Sequence, residues 1–522
     1  MLDKQKIEHR ELISSGTAKS YYEREKSNRS QYETEWDDSC QLTLPYLSPN
    51  FRGEAMVTPY SSLGSSGVNS LSAKLLLTLL PPSGSFFRLL PDKDDTEDLK
   101  EEELSALDAE LAELEEDVIE YIAQRGLRVG TIEGLKYLLV TGNACLYKIP
   151  EGGIKCFSPY QYVVNRDLEG EVLDACIFET KTIATLPDKV IIQLNNAVGE
   201  SGHTPHEDLD GSYTKDSDVE LEIYTRIVRL SIGKFKVWQE IDGVIIDGTI
   251  KKYTPDNLPY MFLRWITQDG VDYGIGHVTQ YIGDLRSLEG LTKSVLEFAG
   301  MASFTLFGVR PNSMLSIKDI NDAQNGEFLQ GDLEKEISTL RVDKGADLAI
   351  PMQMMQSLEG RIGKAFLNLS GQIRDSERTT ASEVRMVANE LESTFGGSYS
   401  VLSSAFQVPL VSLILDELAP EALNISTPSV TAGLNAISRE RDAQNYTSFL
   451  QSLASVPPEV LSENINWGKL INKMGVSLGL KSGEITYTPE ELQQAKAQQA
   501  EQEAMQQGVQ AGMAQQGQPP TQ

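Results

Sequence analysis

Two apolar stripes of nearly heptad spacing, separated by a stretch broken by glycine, constrain this chain more than any other feature. The first runs Val278, Tyr281, Leu285, Leu288, Leu291 or Thr292, Val295 and Phe298. The second runs Met355, Leu358, Ile362, Phe366, Leu369 and Ile373. Spacing near 3.5 residues buries one face of a helix against another helix. Between the stripes, residues 304–350 carry Pro311, Gly326, Gly331 and Gly345 and read as a small α/β insertion. The pattern predicts an antiparallel helix pair with a protruding tip. The stripes hold more apolar surface than one pair covers, so Leu285, Leu288, Val295, Leu358, Ile362 and Phe366 are expected to meet further copies of the chain.

The remaining segments suit an α+β, mostly helical protein. Residues 1–36 read as a polar helix pair with Tyr21, Tyr22 and Trp36 as packing points. A turn-rich segment precedes a short apolar helix over 70–80, which Pro81-Pro82 stops. Leu104, Leu107, Leu111, Leu114, Val118, Ile119 and Ile122 recur at helical spacing within a very acidic segment. Its charged face is either simply solvated or a patch for a basic partner. Strand-like runs fill 135–266, among them 145–148, 162–164, 189–192, 221–228, 235–241 and 261–266. Residues 195–217 read as an exposed loop. Thr380 and Glu383 have capping-box spacing, so a helix is expected to start there and to bend or break at Gly396-Gly397 and Pro409. The Gln-rich tail is expected to finish disordered.

With 522 residues and a net charge of −30, the chain has room for a large core and lacks the basic excess of an open DNA-gripping surface. The cysteines Cys40, Cys145, Cys156 and Cys176 show no CxxC spacing, so neither a zinc site nor a disulfide framework is expected. The most apolar stretch, Leu71–Pro82, is interrupted by Lys74 and falls short of the ~20 residues of a membrane helix. The start lacks an apolar signal region. No phosphate loop, nucleophile elbow or dinucleotide fingerprint is present. His203 and His206 lie in a polar loop that reads as solvated. No enzyme, cofactor, metal site or membrane association is expected.

Several motifs then stand in a telling order. Thr58-Pro59-Tyr60-Ser61-Ser62-Leu63-Gly64-Ser65-Ser66-Gly67-Val68-Asn69 leads into Leu71-Ser72-Ala73-Lys74-Leu75. The acidic segment, the strand-rich block and the first stripe follow. Arg374-Asp375-Ser376-Glu377-Arg378-Thr379-Thr380-Ala381-Ser382-Glu383-Val384-Arg385 comes next, then Glu390-Leu391-Glu392 and Gly396-Gly397. This order resembles the portal proteins, or head-to-tail connectors, of short-tailed bacteriophages of the autographivirus type, over nearly the whole chain to about residue 488.

The resemblance implies a ring, typically a dodecamer, around a channel for double-stranded DNA, with wing, stem, clip and crown. It places the wing at 1–275, stem helices at 276–303 and 351–373, the clip at 304–350 and a tunnel loop at 374–382. A long kinked wing helix at 383–430, a crown at 431–500 and a tail at 501–522 complete it. It implies a virion protein of the capsid portal vertex, assembled in host cytoplasm. Implied partners are the terminase large subunit, the major capsid and scaffolding proteins, a tail adaptor or tail tube protein, and internal core proteins. Arg374 and Arg378 of the loop would face the channel. Arg361 and Lys364 would either face it too or pair with Asp284, Glu289 or Glu297 of the first stem helix. Asp319, Asp322, Glu327, Asp332, Glu334 and Glu336 would give the clip an acidic docking surface. A different ring-shaped virion connector, or less readily a DNA-processing enzyme, remains the alternative.

Overall fold

A computed structural model describes residues 16–453 except 52, 54–55, 83–85, 92–100, 202–205, 207–208, 210, 216–217, 232, 304–305, 310, 312–316, 325–336, 341–344, 369–380 and 431–437, together with Trp467, Leu470, Ile471 and Met474. Its largest apolar core is helical. The helices Leu63–Leu79, Leu127–Thr141, Ile282–Ser303, Gly345–Ala365 and Ala381–Leu402 all contribute to it. The helix Leu63–Leu79 approaches its neighbours closely through glycine. A Cβ on Gly64 would stand 2.6 Å from the Leu42 carbonyl oxygen, and one on Gly67 would stand 2.8 Å from Phe366 Cγ. The long helix Ala18–Leu42 opens at Thr17, whose hydroxyl accepts the Ser20 N–H at 3.2 Å. It runs from the sheets, where Ala18, Tyr21 and Tyr22 are buried, to this core, which Cys40 joins.

The sheets form a second body of packing. Tyr162–Arg166, Val172–Thr182, Glu220–Ser231, Lys234–Ile241 and Val244–Ile245 make an antiparallel ladder, with Lys251–Tyr253 also paired to Lys234–Ile241. A smaller sheet sets Asn143–Lys148 between Tyr260–Arg264 and Ile154–Phe157. Trp36, Phe157, Tyr162, Ile177, Ile227 and Phe262 fill a core built on both. Phe87–Pro91 pairs with Ser426–Val430, which ties the two halves of the chain together.

Several sequence expectations need correction. The run Lys189–Ile192 is not a strand: it lies in the helix Asp188–Ser201, which also takes the start of the expected 195–217 loop. Ile191 and Leu194 are buried there while Ile192 is exposed, a helical and not an alternating pattern. Residues 135–141 likewise end the helix Leu127–Thr141, whose Gly130 and Gly134 lie against Ile154 and Leu146. The helix expected over 70–80 begins at Leu63, because Gly64 and Gly67 serve close packing and not turns. The described part of 1–36 is a single helix.

The helix Ala381–Leu402 passes Gly396-Gly397 unbroken. The irregularity comes later, as a π-helical turn Ser403–Gln407, before Val408–Leu418 resumes. Pro409 lacks an N–H and crowds the carbonyl four residues back, so the wider turn sits where a regular one would clash. Among the described residues, Met386–Leu418 is the stretch long and apolar enough to cross a membrane, which Leu71–Pro82 is not. Its Leu391, Leu402, Phe406, Leu410, Val411 and Ile414 are buried in the main core. The four cysteines are free thiols, three of them buried.

Candidate functional site

The stripes fold as an antiparallel pair, Ile282–Ser303 against Gly345–Ala365. Asp284 sits in the first turn of one helix and Lys364 in the last turn of the other, signs that suit the helix dipoles. The second helix starts six residues before its expected boundary, with Pro351 inside it. Between the two, Leu306–Val309 pairs with Ile337–Leu340 and a short helix, Ile317–Asp322, lies in the same insertion. The small α/β character read from residues 304–350 is thus present in the described part.

Polar contacts fasten the pair to the rest of the chain. The Glu289 carboxylate accepts the backbone N–H groups of Tyr60 at 2.8 Å and Ser61 at 3.0 Å. Arg286 pairs with Asp38 of the first long helix. Arg361 pairs with Asp284 across the two stripe helices, a contact made within one chain. At the inner end, His277 is enclosed by aromatic rings, with centroids at 5.0 Å for Phe366, 5.1 Å for Phe395 and Tyr281, and 5.9 Å for Trp265. Its Nε2 donates to the Ala365 carbonyl at 3.0 Å. Burial pushes its pKa down to about 4, and the carbonyl bond only partly opposes this, so the ring is neutral at pH 7.

Beside this hub the helix Leu63–Leu79 presents Ser66, Gly67 and Lys74 on one face. Lys74 Nζ donates to the Leu367 carbonyl at 2.7 Å and lies 3.3 Å from Glu390 Oε2. Asn368 Nδ2 lies 3.3 Å from Ser66 Oγ. Leu367 has a positive φ of 54°, which turns the chain out of the helix. Lys148 makes a comparable buried pair with Glu417 at 3.0 Å, joined by Tyr121.

The predicted residues are distributed unevenly over this frame. Leu285, Leu288, Leu358, Ile362 and Phe366, assigned from the sequence to contacts between copies, are buried in one chain's own core. The reason is the helices Ala18–Leu42 and Leu63–Leu79, which pack on that end of the stripes. Val295 is half-buried. Arg361 and Lys364 are exposed, and of the two only Arg361 has an ion-pair partner among the described residues. Asp322 is exposed at the end of the short helix that also carries Asp319. Glu327, Asp332, Glu334, Glu336, Arg374 and Arg378 lie outside the described residues, as does His203. Sequence reasoning missed His277, which has no distinguishing pattern around it, and Lys74, whose place inside an apolar run was the available clue.

Exposed apolar side chains gather toward the outer end of the pair: Leu296 and Met301 on one helix, Ile350, Met352 and Met354 on the other. Among the described residues, no three His, Cys, Asp or Glu side chains converge as a metal-ligand group.

Comparison with known proteins gives a consistent result. Residues 15–485 match the family model described as bacteriophage head to tail connecting protein. The chain is 32% identical to the portal protein of Escherichia phage T7, over 97% of this chain and 94% of that one. It is 31% identical to the portal protein of Enterobacteria phage T3, over 95% and 92%. Among solved structures, a chain from the neck of an empty gene transfer agent particle aligns over 79% of this chain and 94% of its own. That alignment has a TM-score of 0.37 and 11% identity, a likeness too slight to build on.

Proposed function

This chain belongs to the bacteriophage head-to-tail connecting proteins, the portal proteins of short-tailed phages, and from that premise we propose that its copies close into a ring, about twelve in number, around a channel for double-stranded viral DNA. The protein is a virion component of the head–tail connection, and its role in this reading is structural and not enzymatic. The genome enters the capsid through the channel during packaging and leaves through it at ejection. The β-rich block forms the wing, the helix pair the stem, and the insertion between the two helices the clip. The terminase large subunit docks on the clip first and the tail adaptor or tail tube protein later. The wing and crown face the capsid, scaffolding and internal core proteins.

The observation that carries this reading is the family match across residues 15–485, supported by the antiparallel pair with its compact insertion. The net charge of −30 per chain adds a mechanism. Sequence-independent DNA affinity comes from neutralised phosphates, so an acidic ring lets DNA slide. Lys364, Arg374 and Arg378 become bands of repeated cations in a ring, each contact weak and reversible behind ~8 Å of screening. The apolar outer side chains Leu296, Met301, Ile350, Met352 and Met354, with Val295, take over the role of the ring interface.

Electron microscopy and mass measurement of the assembled protein test the ring. A ring with a central hole is expected, and a monomer overturns the reading. Replacing Arg374 and Arg378 together by Ala is expected to leave rings intact but reduce the genome retained per head. Full retention would remove these arginines from the DNA path.

A further inference from the structure

Lys74 interrupts the apolar run Leu71–Pro82, and the role proposed above gives that cation no part. We infer that Lys74 is a positioning residue, whose ammonium holds the end of the second stripe helix against the flank of the helix Ala381–Leu402. It thereby fixes the two points between which the chain runs from residue 369 to 380. The consequence for DNA rests on the portal reading, since Arg374 and Arg378 fall in that stretch.

The geometry is specific. The Lys74 side chain is only 5% exposed, yet it carries a charge. Its ammonium meets the Leu367 carbonyl, in the positive-φ turn that follows the C-terminal end of the helix Gly345–Ala365. A cation there also suits the helix dipole. The same ammonium reaches Glu390 of the following helix, whose side chain is 30% exposed. Three successive residues at the helix end thus meet one face of Leu63–Leu79. Phe366 lies over Gly67, the Leu367 carbonyl takes the Lys74 proton donor, and Asn368 reaches Ser66.

Burial alone does not call for a lysine at this position. Leucine would fill the site without desolvating a charge, and buried ion pairs can often be replaced by apolar side chains without loss of stability. What leucine cannot do is bond a carbonyl on one helix and a carboxylate on another. The lysine is therefore best understood as fixing where those helices stand relative to each other.

Hydrogen exchange read by mass spectrometry on the assembled full-length chain tests this. Lys74→Met is expected to speed exchange at least tenfold in 362–368 and 386–392 while leaving 18–42 and 282–300 at parental rates. Glu390→Gln, at a part-exposed position, is expected to give the same local pattern more weakly, and it decides the matter alone if Lys74→Met does not assemble. A uniform rise across the core, or no change in the two named segments, overturns the inference. Retained genome per head, measured on the same rings, separates this claim from the DNA reading. If exchange rises locally and the Arg374→Ala, Arg378→Ala double variant still retains full-length DNA, the positioning role stands and the channel role of the arginines falls.

Discussion

The two ends of the stripe helix pair share one sequence pattern and differ in what covers it. At the inner end Leu285, Leu288, Leu358, Ile362 and Phe366 are closed over by other helices of the same chain. At the outer end Leu296, Ile350, Met352 and Met354 are more than half exposed. The Asp284–Arg361 pair sets the register, which brings Leu296 about level with Ala349 and Ile350. Heptad spacing therefore locates an apolar face without saying which chain covers it. The inner half is ordinary core, and only the outer half is left for a second copy. The exposed methionines Met301, Met352 and Met354 all lie at the outer end, where an adaptable side chain suits a surface left for a partner.

The sharpest way to break this contrast is Leu288→Asp. Leu288 is 1% exposed within a single chain. A carboxylate there would be buried within the apolar core, so a loss of at least about 4 kcal/mol is expected. Chemical denaturation checks it. A variant that fails only to form rings while keeping parental chain stability would return the inner end to the interface.

The next effect is a pH dependence at the same end. His277 is neutral in the folded chain, with its pKa pushed down to about 4, whereas an unfolded histidine titrates near 6.5. Between those values the unfolded chain binds more protons, so this contribution is full above pH 6.5 and is lost as pH falls toward 4. It amounts to at most about 3 kcal/mol. The groups packed on the ring are aromatic, and its bonded partner is the Ala365 carbonyl. His277→Phe is expected to remove this share of the acid sensitivity, read as the difference between parent and variant in denaturation midpoints at pH 7 and pH 4.5. Identical differences would show that His277 carries no proton-linked stability.

Legibility followed the range of the interaction. The helix pair, the insertion between its halves and most strands of the β-rich block were readable because local periodicity dictates them. The run Lys189–Ile192 was misread because four apolar-rich residues fit a strand as well as a helix, and only burial of Ile191 and Leu194 with Ile192 exposed separates the two. The start of the helix at Leu63 was hidden because Gly64 and Gly67 look like turn residues until the Leu42 carbonyl and Phe366 are seen against them. The cover over Leu288 could not be read, since it depends on contacts between segments far apart in the chain. The helix hub around His277 was invisible for the same reason: Trp265, Phe366 and Phe395 come from separate elements.

At the outer end the expectation for chain stability reverses. Met352 and Met354 are 54% and 53% exposed, so replacing both by Glu is expected to change the stability of one chain by less than about 0.5 kcal/mol. Ring assembly is the sensitive readout, since two carboxylates would then have to be buried against a neighbouring copy. Light scattering should show folded single chains. Full rings from this variant would place the interface elsewhere and leave the exposed methionines without an oligomeric role.

The smallest effect distinguishes the two cations on the second stripe helix. Arg361 is 60% exposed and already paired with Asp284 in its own chain. Exposed pairs of this kind contribute roughly 0–1 kcal/mol, so Arg361→Ala should barely move the denaturation midpoint. Its effect on DNA should also be slight, because the local charge seen by a phosphate is that of a neutralised pair. Lys364, one turn on, stands exposed in the last helical turn with no ion pair among the described residues. If this face borders the channel, Lys364→Ala should lower retained genome more than Arg361→Ala, and the gap should narrow as salt rises and screens the unpaired charge. The reverse ranking would mean that the Asp284 contact is exchanged for phosphate in the assembled ring. Equal and negligible losses would mean that this face lies away from DNA, with Lys364 serving only the end of its helix.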